Sequence, residues 1–304
     1  MASAIVFPGQ GAQSVGMGKD LYQKNDLVLH LFQKAGERTG IDFESLIFEG
    51  PESVLKETKN LQPAITLINI ATWQTLIRES PHISPNYVLG HSLGEISALH
   101  AAGCLDFEDT MELVLKRGRF MQECAEKNPG IMLAVLGLSA EKLRQFITDS
   151  KLELDIANFN APGQIIVSGE KKTLLSFRKF LREHGIKKVI PLKVSGPWHS
   201  RYMKPAQEKL AGYLENVEVK EAQVPIISNV CASPVTSACD IKENLIKQVT
   251  GSVLWQDSIE YLADNNVKTL LECGPGNILT GLIKRIDSSL ECTPVNTYDT
   301  ILTL

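Results

Sequence analysis

Gly90-His91-Ser92-Leu93-Gly94 is a G-x-S-x-G sequence set between the apolar run Tyr87-Val88-Leu89 and a stretch of helical composition, Glu95 to Ala102. A serine on such a strand-to-helix turn is held in a strained conformation that projects its hydroxyl from the sheet. The free N–H groups of the following helix then face whatever the hydroxyl attacks. Glycines at 90 and 94 remove the side chains that would crowd the turn. The bland alternative is an ordinary glycine-flanked turn; the chemical one makes Ser92 a nucleophile.

A serine hydroxyl attacks poorly until a neighbouring base accepts its proton. Six histidines are available. His30, His82 and His184 fall in segments of surface character, and His100 on the following helix reads as a packing or capping residue. His91, next to the serine, points away from it or lines the pocket. His199 is preferred, because Ser195-Gly196-Pro197-Trp198-His199-Ser200 is a Gly-Pro turn just after a strand, a loop type that holds one side chain rigidly at the mouth of a sheet. No acidic residue stands out in the order Ser, Asp or Glu, His of ordinary α/β-hydrolases, so a backbone carbonyl could fix the imidazole tautomer instead. That points to a Ser-His dyad. Arg117, expected near the end of a helix beginning around Asp106, is either a solvated basic residue at a helix end or a planar fork for a substrate carboxylate.

The elements that must position these groups have a mixed α/β texture. Ile5-Val6-Phe7 reads as a buried strand ending at Pro8, and Ala64 to Ile77 as a helix, apolar around most of its circumference, with Pro63 near its start. After Gln122 come short units: strand Met132–Leu136, a helix near Ala140 to Ser150, strand Gln164–Gly169, a basic amphipathic helix from Lys171 to Glu183, and a strand Lys188–Leu192. This β-α-β-α-β run is compact enough to be a subdomain. The chain returns to the larger body from Ser195, with a late strand Thr269–Cys273 ending at Gly274-Pro275-Gly276.

With 304 residues, 43% of them hydrophobic, the chain can bury a large core. A net charge of -4 argues against nucleic-acid binding by bulk positive charge. Six cysteines without a C-x-x-C pair indicate neither a zinc knuckle nor a disulfide scaffold, and no leader or membrane-spanning stretch is evident. A cytoplasmic location is expected.

Together these residues resemble malonyl-CoA:acyl carrier protein transacylases, the acyltransferase family of fatty-acid and polyketide synthesis. The resemblance spans nearly the whole chain. It rests on Phe7-Pro8-Gly9-Gln10-Gly11-Ala12-Gln13 with Gly16-Met17-Gly18, on Gln62-Pro63-Ala64, Gly90 to Glu95, Arg117-Gly118 with Met121-Gln122, Asn160 to Gln164, Ser195 to His199, and Gly274-Pro275-Gly276 with Leu279.

The resemblance implies a large α/β-hydrolase-like subdomain (1–125 and 196–304) with an inserted small ferredoxin-like subdomain (126–195) and an active site between them. It implies Ser92 as acyl acceptor, His199 as base, the Gln10 and Leu93 amides as oxyanion hole, Arg117 as carboxylate clamp, and the Leu254 carbonyl, before Trp255, as the group orienting the histidine. His91, Trp198 and Asn160 are further pocket candidates, the Trp198 indole restricting the site to short acyl groups. Malonyl-CoA and an acyl carrier protein are the expected partners of a monomer that needs no metal or redox cofactor. The basic run Lys171, Lys172, Arg178, Lys179, Arg182, Lys187 and Lys188 is either a docking face for an acidic carrier or a solvated helix face. A polyketide-pathway acyltransferase and an acyl-carrier-protein hydrolase use the same dyad and are the alternatives.

Overall fold

A computed structural model describes residues 2–304. One sheet contains β1 (Ala2–Phe7), β2 (Tyr87–Gly90), β7 (Ile226–Ile227), β8 (Pro234–Val235), β9 (Val267–Cys273) and β10 (Glu291–Val295), in the order β10-β9-β1-β2-β7-β8. All its neighbours run parallel except β7 and β8. The alternation in β1 shows why: Ile5 and Phe7 join the core under the helices Asp26–Thr39, Thr58–Glu79 and Phe107–Lys127, while Ala4 and Val6 join the opposite core under Trp255–Asp264 and Ile278–Ile286. A parallel sheet covered on both faces needs apolar residues in both phases.

The helix Thr58–Glu79 is buried without a break from Leu61 to Trp73, as its nearly all-round apolar pattern requires. It begins six residues before Ala64, so Pro63 lies inside it rather than near its start. The helix Phe107–Lys127, capped by the Asp106 carboxylate on the Asp109 N–H, likewise runs further than its basic segment suggests. Arg117 therefore sits in mid-helix, not near its end.

The second sheet consists of β3 (Gly130–Leu136), β4 (Asp155–Ala161), β5 (Gln164–Glu170) and β6 (Val189–Pro191), antiparallel throughout, in the order β4-β5-β3-β6. With the helices Ala140–Ser150 and Lys171–Glu183 it is a β-α-β-β-α-β unit, the ferredoxin-like arrangement. The strand β4 is absent from the sequence reading. Its sequence, Asp-Ile-Ala-Asn-Phe-Asn-Ala, interrupts the apolar pattern with two asparagines that are buried all the same. Leu133, Val135, Ile165 and Val167 pack beneath the two helices, whereas Met132, Ala134 and Ile166 face the larger body. β4 is stitched to that body by Phe159 N–H to Val253 O and Val253 N–H to Ala157 O, 2.9 and 2.8 Å.

No helix among the described residues is long and apolar enough to cross a membrane.

Candidate active site

Phe7 pairs with Gly90, so β1 and β2 end side by side and their following loops share the carboxyl edge of the sheet. The approach is close: a β-carbon on Gly9 would lie 2.3 Å from the His91 carbonyl oxygen, and one on Gly90 would lie 2.0 Å from the Gly94 carbonyl carbon. Only glycine fits either place. Ser92 takes a φ of 51°, the left-handed region that costs a non-glycine residue about 1–2 kcal/mol, and the surrounding turn holds it there.

Ser92 Oγ lies 2.7 Å from His199 Nε2, and His199 Nδ1 lies 2.8 Å from the Gln248 carbonyl oxygen. With Nδ1–H donating to that carbonyl, Nε2 turns its lone pair to the serine hydroxyl. Burial, assisted by the Arg117 charge, pushes the His199 pKa down to about 3, so the ring is neutral at physiological pH. Ser92 and His199 are brought together, but the carbonyl that orients the ring is not the expected one. The Leu254 carbonyl accepts from the Ser258 N–H and hydroxyl at the start of Trp255–Asp264, and is consumed there. Gln248 is the last residue of the helix Ala238–Gln248, where carbonyls have no partner further along the helix. Its oxygen is free for the imidazole.

Arg117 is 3% exposed and makes no ion pair among the described residues. Its Nη1 donates to Gln62 Oε1 (2.7 Å) and its Nη2 to Gln248 Oε1 (2.9 Å), with Ser92 Oγ 3.5 Å from Nη2. Burial lowers its pKa to about 10, partly offset by the Glu95 charge, which leaves it a cation. Removing an unpaired guanidinium from water costs several kcal/mol. A carboxylate placed beside Ser92 would offset that cost.

A cavity of about 200 Å³ opens over Ser92. Gln10 and Leu93 line it, and neither main-chain N–H donates to a protein acceptor among the described residues. His91, Asn160 and Trp198 line it too. His91 Nε2 is 2.8 Å from Asn160 Oδ1, joining the elbow to β4, and burial lowers the His91 pKa. Trp198 is buried among the cavity's apolar residues Met121, Met132, Leu192 and Val194. His30, His82 and His184 are exposed, and His100 is held between Gln74 and the Leu105 carbonyl, away from the serine.

Three residues at the site were not singled out from the sequence. Asn229 Oδ1 accepts the Ser92 N–H at 2.7 Å while its Nδ2 donates to Gly90 O, clamping both sides of the elbow. Gln248 contributes its side chain as well as its carbonyl. Glu95, 3% exposed, accepts from Gln248 Nε2 and the Asn229 N–H, and burial pushes its pKa up to about 7 against those hydrogen bonds and the Arg117 charge. Glu95 was visible only as the end of a motif. Asn229 and Gln248 come from segments without any local signature.

A two-sheet α/β body carrying a serine on an elbow, a neutral histidine hydrogen-bonded to it and a buried arginine has the form that acyl-transfer chemistry requires. The family model described as "Acyl transferase domain" matches residues 4–297. "Malonyl CoA-acyl carrier protein transacylase" of Bacillus subtilis (strain 168) is 44% identical over 302 residues, covering 98% of this chain and 94% of that protein. The protein of the same name in Staphylococcus aureus (strain MRSA252) is 38% identical over 303 residues, covering 98% and 97%. Among solved structures, an acyl carrier protein S-malonyltransferase from Vibrio cholerae superposes with a TM-score of 0.94 at 37% identity, covering 99% of each chain. A malonyl-transacylase solved in complex with its type II PKS acyl-carrier protein gives 0.95 at 37% identity, covering 100% and 98%. The chain belongs to the acyltransferase family of malonyl CoA-acyl carrier protein transacylases.

Proposed function

We propose that this enzyme moves a malonyl group from malonyl-CoA to the phosphopantetheine thiol of an acyl carrier protein, through an acyl-serine, supplying extender units for fatty-acid synthesis. The observation that carries the reading is Arg117: a buried cation without an ion pair among the described residues, 3.5 Å from the Ser92 hydroxyl, selects an acyl group that ends in a carboxylate.

In the first half-reaction His199 Nε2 takes the Ser92 proton as Oγ attacks the thioester carbonyl. The Gln10 and Leu93 N–H groups receive the oxyanion, a contribution worth about 10²- to 10³-fold per donor in enzymes of this kind. The carbon–sulfur bond breaks, the coenzyme A sulfur takes the proton from His199, and the malonyl ester remains on Ser92. In the second half-reaction His199 deprotonates the carrier's thiol, which attacks the ester carbonyl; the proton then returns to Ser92. Arg117 keeps the malonyl carboxylate fixed while the acyl-enzyme waits. Trp198 and its apolar neighbours leave room for a short acyl chain. Every step is carried by side chains and main-chain groups of a single chain, acting as a monomer, without metal or redox cofactor.

The unit 126–195, inserted between 1–125 and 196–304, closes one wall of the site. Lys171, Lys172, Lys179, Arg182, Lys187 and Lys188 are exposed on it and offer a positive face to an acidic carrier.

Mass spectrometry of enzyme and carrier, after mixing with malonyl-CoA, tests the reading. Malonyl should reach the enzyme first, then the carrier, and neither in Ser92→Ala. Release of free malonate without carrier acylation would replace the transferase by a hydrolase.

A further inference from the structure

The side-chain amide of Gln248 is fixed in one of its two orientations. Its Nε2 donates to Glu95 Oε2 at 2.5 Å and to the Ser92 carbonyl at 2.9 Å, and its Oε1 accepts from Arg117 Nη2 at 2.9 Å. Turned over, the amide would set its oxygen against a carboxylate and a carbonyl, and its NH₂ against a guanidinium. All three hydrogen bonds would be lost. Glu95 supplies the carboxyl half of that constraint, and it touches neither the serine hydroxyl nor the cavity.

Its other oxygen accepts the Asn229 N–H at 3.2 Å, and Asn229 in turn holds Ser92 N–H and Gly90 O. Glu95 thus stands behind two branches. One runs through Asn229 to the elbow, and serves any acyl donor. The other runs through Gln248, whose Nε2 also braces the Ser92 carbonyl for any donor, while its Oε1 reaches Arg117 and there serves only donors that carry a carboxylate.

Resting on the malonyl-transfer reading above, we infer that Glu95 is the positioning residue for the arginine: by holding the Gln248 amide with its oxygen toward Arg117 Nη2, it directs the remaining guanidinium donors at the acyl carboxylate and so sets the preference for malonyl over acetyl groups. A hydrogen bond to a charged group that must be reformed or lost changes an equilibrium or rate by about 10- to 100-fold.

The test compares acyl-enzyme formation from malonyl-CoA and from acetyl-CoA in wild type and Glu95→Gln, by rapid quench and intact mass, with kcat and KM separated for each donor. A glutamine keeps the shape of Glu95 but can present an NH₂ to Gln248, and the amide is then free to turn. The expected result is a fall of about tenfold or more in the malonyl-to-acetyl ratio of kcat/KM, carried mainly by a raised malonyl-CoA KM. A loss through the elbow branch alone would lower both donors by one factor and leave the ratio unchanged, and that result overturns the inference. Where Glu95→Gln does not fold, Gln248→Met replaces it: the main-chain carbonyl for His199 remains, while the donor to the Ser92 carbonyl and the acceptor for Arg117 are both gone, so both donors should slow through the elbow and the malonyl-to-acetyl ratio should fall besides, an unchanged ratio again being contrary. Wild type failing to form a malonyl-enzyme in the same experiment would count against the transfer reading itself, and is distinguishable from both.

Discussion

Two strands of the same sheet end in the same way and have been put to different uses. β2 passes through Gly90-His91-Ser92-Leu93-Gly94 into the helix Gly94–Ala101, and β9 passes through Gly274-Pro275-Gly276 into the helix Ile278–Ile286. Each junction carries a buried glutamate, Glu95 and Glu272. At the second, both carboxylate oxygens are spent on the helix start: Glu272 accepts from Leu279 N–H (2.9 Å), Thr280 N–H (2.7 Å) and the Thr280 hydroxyl (2.6 Å). At the first, the glutamate turns to Gln248 and Asn229, and Leu93 N–H is left without a protein acceptor among the described residues. A helix start closed by its own protein is architecture. One held open beside Ser92, His199 and Arg117 is the candidate site.

The largest expected effect breaks the first junction. Ser92→Ala should abolish the acyl-enzyme, and His199→Ala should slow its formation by about 10²- to 10⁴-fold, read by rapid quench. Next, Arg117→Ala should lower malonyl transfer by about 10²-fold while acetyl transfer changes far less, which steady-state kinetics with both donors would show. The second junction should respond in stability alone. Glu272→Gln removes a charged cap from the helix Ile278–Ile286 and should cost about 1–2 kcal/mol in denaturant unfolding, with turnover within about twofold of wild type.

A further effect is a pH dependence of Glu95. The folded protein keeps its proton to about 7 against an ordinary 4.5, because burial disfavours the carboxylate. The unfolded chain therefore releases that proton first as pH rises. The stability due to this group is full below about 4.5 and is lost as pH climbs through about 7. Melting temperature should fall more for wild type than for Glu95→Gln between pH 5 and 8; parallel profiles would show that Glu95 does not titrate there.

The sequence made the candidate reacting groups legible and left their supports unseen. Ser92, His199 and Arg117 announce themselves through residue type and neighbours, since a nucleophile elbow, a rigid Gly-Pro turn and a planar cation each leave a local pattern. A main-chain carbonyl leaves none: the acceptor for His199 comes from Gln248, the end of one helix, and not from Leu254, whose oxygen starts the next. β4 escaped for the converse reason. Asn158 and Asn160 occupy strand positions where an apolar alternation would be expected, because they line the cavity instead of the core under the helices. Asn229 and Gln248 reach Ser92 from 137 and 156 residues away, and only the folded chain brings them there.

The most direct test of the account is competition. The protein is mixed with equimolar malonyl-CoA and acetyl-CoA, quenched within the first turnover, and the acylated peptide is mapped by mass spectrometry. The account predicts malonyl on Ser92 as the dominant adduct. Acetyl in equal or greater amount, or malonyl on another residue, would contradict it.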